Sequence, residues 1–117
     1  MFRVIIAGSR DFSNYELLRQ YADYILSKIP EEIEIVSGGA SGADALGERY
    51  ARERGYRIRQ FPAEWERYGL KAGPLRNREM AKYADALIAY WDGTSRGTKN
   101  MIDEATARGL KIRIKRY

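Results

Sequence analysis

The chain contains no cysteine and no histidine. The first absence excludes disulfide scaffolds, thiolate metal sites and cysteine nucleophiles. The second removes the commonest metal ligand and the usual general base near neutral pH. Any catalysis must therefore use carboxylates, Lys, Tyr, Ser or Thr hydroxyls, or groups of a bound substrate. Long apolar runs are also missing, and none approaches a membrane span. The opening MFRVIIAGSRDF has one early Arg and a five-residue apolar run. That run is too short for the core of a signal peptide, so a cytoplasmic location is expected.

Apolar residues make up 44% of the 117 positions and charged residues 32%, as in ordinary globular proteins. One domain over residues 1–117 is the expectation. The net charge of +5 favours anionic partners in general without singling out nucleic acid.

Short apolar strands alternate with helical patterns. Strands are expected at RVIIA (3–7), IEIVS (33–37), YRIRQF (56–61), DALIAYW (85–91) and LKIRIKR (110–116). Between the first two, Ser13 and Glu16 form a capping-box pattern ahead of Leu18, Tyr21, Ala22, Ile25 and Ile29 at helical spacing. Ala43, Leu46, Gly47, Tyr50 and Ala51 mark a second helix, with Gly55 as its left-handed stop. Pro74 suits the first turn of a helix running to about Tyr83. A last helix carries Met101, Ile102 and Ala105 and ends at Gly109.

Such alternation predicts an α/β, Rossmann-like three-layer domain with a parallel sheet of about five strands. The third and fifth strands alternate basic residues with isoleucine, a common guard on sheet edges. The order 3-2-1-4-5 follows, with a switch point between strands one and four. Ligands in such sheets bind beyond the carboxyl ends of the strands.

Four segments fall there: GSRDF (8–12), SGGASGAD (37–44), PAEWERYGLKAGPLRNRE (62–79) and WDGTSRGTKN (91–100). Three combine Gly with Ser or Thr ahead of a helix, offering bare N–H groups, hydroxyls and a positive dipole end for a phosphate. Ordinary capping is the competing reading of GGASGAD, with Ser41 as cap and Asp44 completing the box. Arg76 and Asn77 read as residues of a helix's first turn, where a cation opposes the dipole and an anion would compensate it. Trp65, Tyr68 and Trp91 are candidates for stacking on a base. The G-x-G-x-x-G fingerprint fits Gly39 and Gly42 but fails at Ser37, and no Gly-Lys-Ser/Thr occurs.

Together GSRDF, IVSGGASGAD, PAEWERYGLKAGPLRNREM, ADALIAYWDGTSRGT and the following NMI resemble the YspA/YpsA-related branch of the SLOG superfamily. That superfamily also holds DprA and the LOG phosphoribohydrolases. The resemblance runs from about residue 4 to residue 112. It implies a Rossmann-like fold whose glycine loops bind nucleotides or nucleotide-derived ligands, an NAD- or ADP-ribose-like molecule among them. Carried over by position, the implied binding set is Gly8, Ser9, Arg10, Ser37, Gly38, Gly39, Gly42, Asp44, Arg76, Asn77, Ser95, Gly97 and Thr98. No metal and no cofactor beyond a bound nucleotide is implied. LOG enzymes carry a catalytic Glu three residues after the loop threonine; here that position is Met101.

Three readings follow. The first is a sensor or carrier of a phosphate-bearing nucleotide. The second is an enzyme cleaving a nucleotide N-glycosidic bond, with Asp44, Asp92 or Glu79 as the available carboxylates. The third is single-stranded nucleic-acid binding, ranked last because no basic stripe interleaved with aromatics is visible along the sequence. Tyr15, Tyr21 and Tyr24 on the first helix offer a surface for pairing with a second copy.

Overall fold

A computed structural model describes residues 1–117. Its five strands are β1 (Phe2–Gly8), β2 (Ile33–Ser37), β3 (Arg57–Gln60), β4 (Ala86–Trp91) and β5 (Lys111–Arg116). All pair in parallel, in the order β3-β2-β1-β4-β5. The helices are α1 (Tyr15–Leu26), α2 (Ala43–Arg54), a short α3 (Trp65–Tyr68) running into a 3-10 turn (Gly69–Lys71), α4 (Ala72–Tyr83) and α5 (Arg96–Ala107). None is long and apolar enough to cross a membrane.

Strand composition sets the order, as expected. In β1, Val4, Ile5 and Ile6 are wholly buried because both faces are covered. Val4 and Ile6 join Leu18, Ala22, Tyr50 and Ile88 in the core under α1 and α2. Ile5 and Ala7 join Val36, Met80, Leu87 and Met101 in the core under α4 and α5. Each fully buried aliphatic side chain contributes about 1.5–3 kcal/mol through water release. The arginines of β3 and Lys111, Arg113 and Arg116 of β5 are exposed, which fits their places at the edges.

Three helix starts differ from the sequence-based expectation. Asn14, not Ser13, caps α1: its Oδ1 accepts the Leu17 N–H at 3.0 Å. Gly42, not Ser41, stands at the N-cap of α2, with no side-chain cap. Ser41 turns away to the Arg10 carbonyl, and Asp44 Oδ2 accepts the Ala40 N–H at 3.2 Å. Finally, α4 starts at Ala72, so Arg76 and Asn77 lie past its first turn. Pro74 is tolerated because the first helical N–H groups have no intrahelical partner. Arg76 therefore does not sit against the positive end of the dipole, and burial governs it instead. Gly55 ends α2 in the left-handed region as expected, with φ 71°.

Candidate functional site

β1 pairs with β2 on one side and β4 on the other, so the connections after them leave in opposite directions and open a crevice at the carboxyl rim. A cleft of about 700 Å³ fills it, adjoined by a smaller chamber of about 390 Å³. The two share Arg10, Ala40, Trp65 and Arg76. The Arg10 guanidinium stands over the Trp65 ring, 5.7 Å from its centre.

Gly8, Ser9, Arg10, Asp44, Arg76, Asn77, Ser95, Gly97 and Thr98 all line the larger chamber. Gly38 and Gly39 line the smaller one with Arg10 and Arg76. Two of the thirteen expected residues line neither. Ser37 is wholly buried; its hydroxyl donates to Glu48 Oε2 at 2.6 Å and accepts the Gly39 N–H at 3.1 Å. Gly42 instead makes the turn. With φ 75° and ψ −128°, its α-carbon abuts the carbonyls of Ser9 and Arg10, where a Cβ would collide.

Not all the loop's amides are free. Those of Gly39 and Ala40 are taken by Ser37 Oγ and Asp44 Oδ2. Those of Gly38, Ser41 and Gly42 have no protein acceptor, nor do those of Arg96 and Gly97 at the start of α5. There Ser95 caps the helix, its Oγ accepting the Thr98 N–H, and Asp92 accepts the N–H groups of Thr94 and Ser95 at 2.8 Å each. These two bonds hold the Asp92 carboxyl below the usual carboxylate range.

Arg76 is a strut as much as a wall. Its Nη1 donates to the Gly38 carbonyl at 2.6 Å, and its Nε donates to Asn77 Oδ1 at 3.0 Å. Burial lowers its pKa, and neighbouring Asp44 opposes that shift. The Asn77 amide nitrogen donates to Asn100 Oδ1 at 2.9 Å and weakly to the Gly97 carbonyl, so the side chain is committed to joining α4 to α5. Burial pushes the Asp44 carboxyl up to about 6, against the lowering effect of the Ala40 N–H and Arg76. Ser9 is 2% exposed, and its hydroxyl has no hydrogen-bond partner, though Asp92 and Tyr117 flank it.

The chambers differ in charge. The larger balances Arg10, Arg76 and Arg96 against Asp11, Asp44 and Asp92. The smaller has Arg10 and Arg76 and no acidic residue. Of the aromatic candidates, Trp65 lines both and is 46% exposed. Tyr68 lines neither, and Trp91 is turned inward, its indole N–H on the Ser95 carbonyl at 3.1 Å. Sequence reasoning did not single out Gln60, Pro62 or Ala63 of the smaller chamber, nor Leu70 of the larger. The available signal was the rim segment 62–79, which holds Pro62, Ala63 and Leu70, and the end of β3, where Gln60 lies.

The sheet order and the rim cleft define a Rossmann-like α/β domain. A family model described as the YspA, cpYpsA-related SLOG family matches residues 2–68. The Gene 61 protein of Mycobacterium phage D29 is 36% identical over 118 residues, covering 96% of this chain and 94% of that protein. The chain belongs to the YspA, cpYpsA-related SLOG family. Its fold is similar to that of DNA processing protein A (DprA) from Streptococcus pneumoniae, with TM-score 0.72, 20% identity and 97% of this chain covered. The chain spans 49% of DprA's length. It is also similar to the protein TM1055, with TM-score 0.69, 20% identity, and coverage of 96% of this chain and 72% of that one.

Proposed function

We propose that residues 1–117 form one unit that binds a nucleotide or nucleotide-derived phosphate ligand in the rim cleft, as a sensor or carrier. One observation carries the reading: the smaller chamber combines two arginines, no acid and the Gly38–Ser41 loop, two of whose amides have no protein acceptor. That is the chemistry of an anion seat. The larger chamber is charge-balanced and has a buried, unpartnered Ser9 hydroxyl and the Asp44 carboxylate. It suits the uncharged ribose and base of the same molecule. Family membership supports a nucleotide-related role. Isothermal titration calorimetry with AMP, ADP, ADP-ribose and NAD tests it. Binding weakened about tenfold or more by Arg10→Ala supports the reading; no heat from any of them at millimolar concentration sinks it.

A second reading rests on Asp44. A buried carboxyl pushed up to about 6 beside the rim cleft has the properties of a general acid or base for N-glycosidic cleavage. Met101, at the position of the LOG glutamate, is buried in the core and supplies no carboxylate. Release of free base from a nucleoside monophosphate, abolished by Asp44→Asn, is the expected result. Turnover untouched by that change excludes Asp44.

A further inference from the structure

The two faces of the sheet are covered unequally at β5. On one face α5 packs on it, and Ile112 joins the core beneath α4 and α5. On the other face Lys111 and Arg113 stand exposed and Lys115 is half-buried. Lys111 Nζ sits over the Phe2 ring of β1 at 6.0 Å, and Lys115 Nζ over the Tyr21 ring at 5.6 Å, which puts Lys115 beside α1. α1 turns Tyr15 and Asp23 towards α2, where they meet Glu53, Tyr50 and Arg54. Its opposite flank carries Tyr21, Tyr24 and Lys28, with Lys28 Nζ over the Tyr24 ring at 4.7 Å. Tyr24 is 66% exposed.

None of Lys28, Lys111, Arg113 and Lys115 is in an ion pair, although ten such pairs form elsewhere. On α1 the acids Glu16 and Asp23 are already paired with Arg19 and Arg54. Asp85, before β4, accepts the Arg3 N–H, and Asp11 and Asp92 lie beyond the far end by Tyr117. Guarding an edge explains cations on the strand but not the tyrosines set among them.

We propose that this α1–β5 face, separate from the cleft, is a track for single-stranded nucleic acid. Cations on alternate residues of a strand stand about 6.6 Å apart, close to the spacing of successive phosphates on an extended single strand. Tyr24 offers an exposed ring on which an unpaired base stacks, while Tyr21, half-buried against the core, seats Lys115 beside it. A duplex keeps its base faces internal and leaves that ring unused, so the single strand is the better fit. The stripe is assembled from two distant parts of the chain, α1 and β5, which is why the linear sequence hides it.

Fluorescence anisotropy of labelled dT15 and rU15 with the full chain, over a salt series, tests the track. The expected result is affinity that falls with salt. The variant Lys111→Thr/Arg113→Thr/Lys115→Thr keeps strand propensity. Its plot of log affinity against log salt should be shallower by about 2, at about 0.7 for each phosphate no longer neutralised. Should the triple variant fold poorly by circular dichroism, Arg113→Glu alone replaces it, with at least a tenfold loss expected. Tyr24→Ala should weaken binding about tenfold with the salt slope unchanged. Preference between the two oligonucleotides tells DNA from RNA. The proposal is overturned by no binding at 50 mM salt, by equal binding of the triple variant, or by loss with Arg10→Ala but not with the strand variants. Binding to phosphatidylserine vesicles with none to either oligonucleotide also overturns it.

Discussion

Arg76 Nη1 donates to the Gly38 carbonyl at 2.6 Å, tying α4 to the loop after β2 in the lining of the smaller chamber. The same side chain reaches Asn77 through Nε and faces Asp44. Only a guanidinium fork can serve these partners together. Arg76→Lys should therefore cost about 1.5–3 kcal/mol, the range for a hydrogen bond to a charged group. Urea denaturation measures it, and an unchanged midpoint would show that the strut adds nothing to stability.

Gly42 and Gly39 both have positive φ, yet they should respond differently to alanine. At Gly39 a Cβ meets nothing within 4 Å, so the cost is the conformational penalty alone, about 1–2 kcal/mol. At Gly42 the Cβ would collide with the backbone carbonyls of Ser9 and Arg10 as well. Gly42→Ala should cost about 3 kcal/mol or more. Thermal melts of the two variants side by side check the order; equal midpoints contradict it.

Asp44 makes stability depend on pH in an unusual direction. Its folded pKa of about 6 lies above the ordinary 3.8, so the folded chain holds this proton more tightly than the unfolded one. Stability from this group is full below about pH 4 and falls as pH rises to about 6. The loss is up to about 3 kcal/mol at 1.36 kcal/mol per unit. In Asp44→Asn that decline should disappear, although Arg76 then loses its counter-charge. Denaturation curves at pH 4, 5, 6 and 7 for both proteins test this through their difference.

Trp65 should report on the cleft. It is half-exposed between the two chambers, whereas Trp91 is held by Ser95. Titration with ADP-ribose should change tryptophan emission, and Trp65→Phe should remove most of the change while Trp91→Phe keeps it. The reverse pattern would place the ligand elsewhere.

Much of the architecture was legible because strand composition reports burial. The apolar runs of β1, β2 and β4 mark central strands, and the charged alternation of β3 and β5 marks edges. Sheet order and rim loops follow from that. The helix caps were less legible because their partners are tertiary. Ser41 bonds to the carbonyl of Arg10, a residue on another loop, and so gives up the cap to Gly42. Ser37 fits the glycine-loop pattern, yet Glu48 on α2 draws its hydroxyl inward. The two-chamber shape was invisible, since it depends on Arg10 meeting Trp65 across the rim.

The meeting of Arg10 and Trp65 has a consequence for selection by size. A small anion fits wholly on one side of the pair and never tests it. On the proposed reading, a molecule with two recognisable ends spans the wall that this pair shares between the chambers, so that its reach, and not only its individual groups, decides whether both ends are seated.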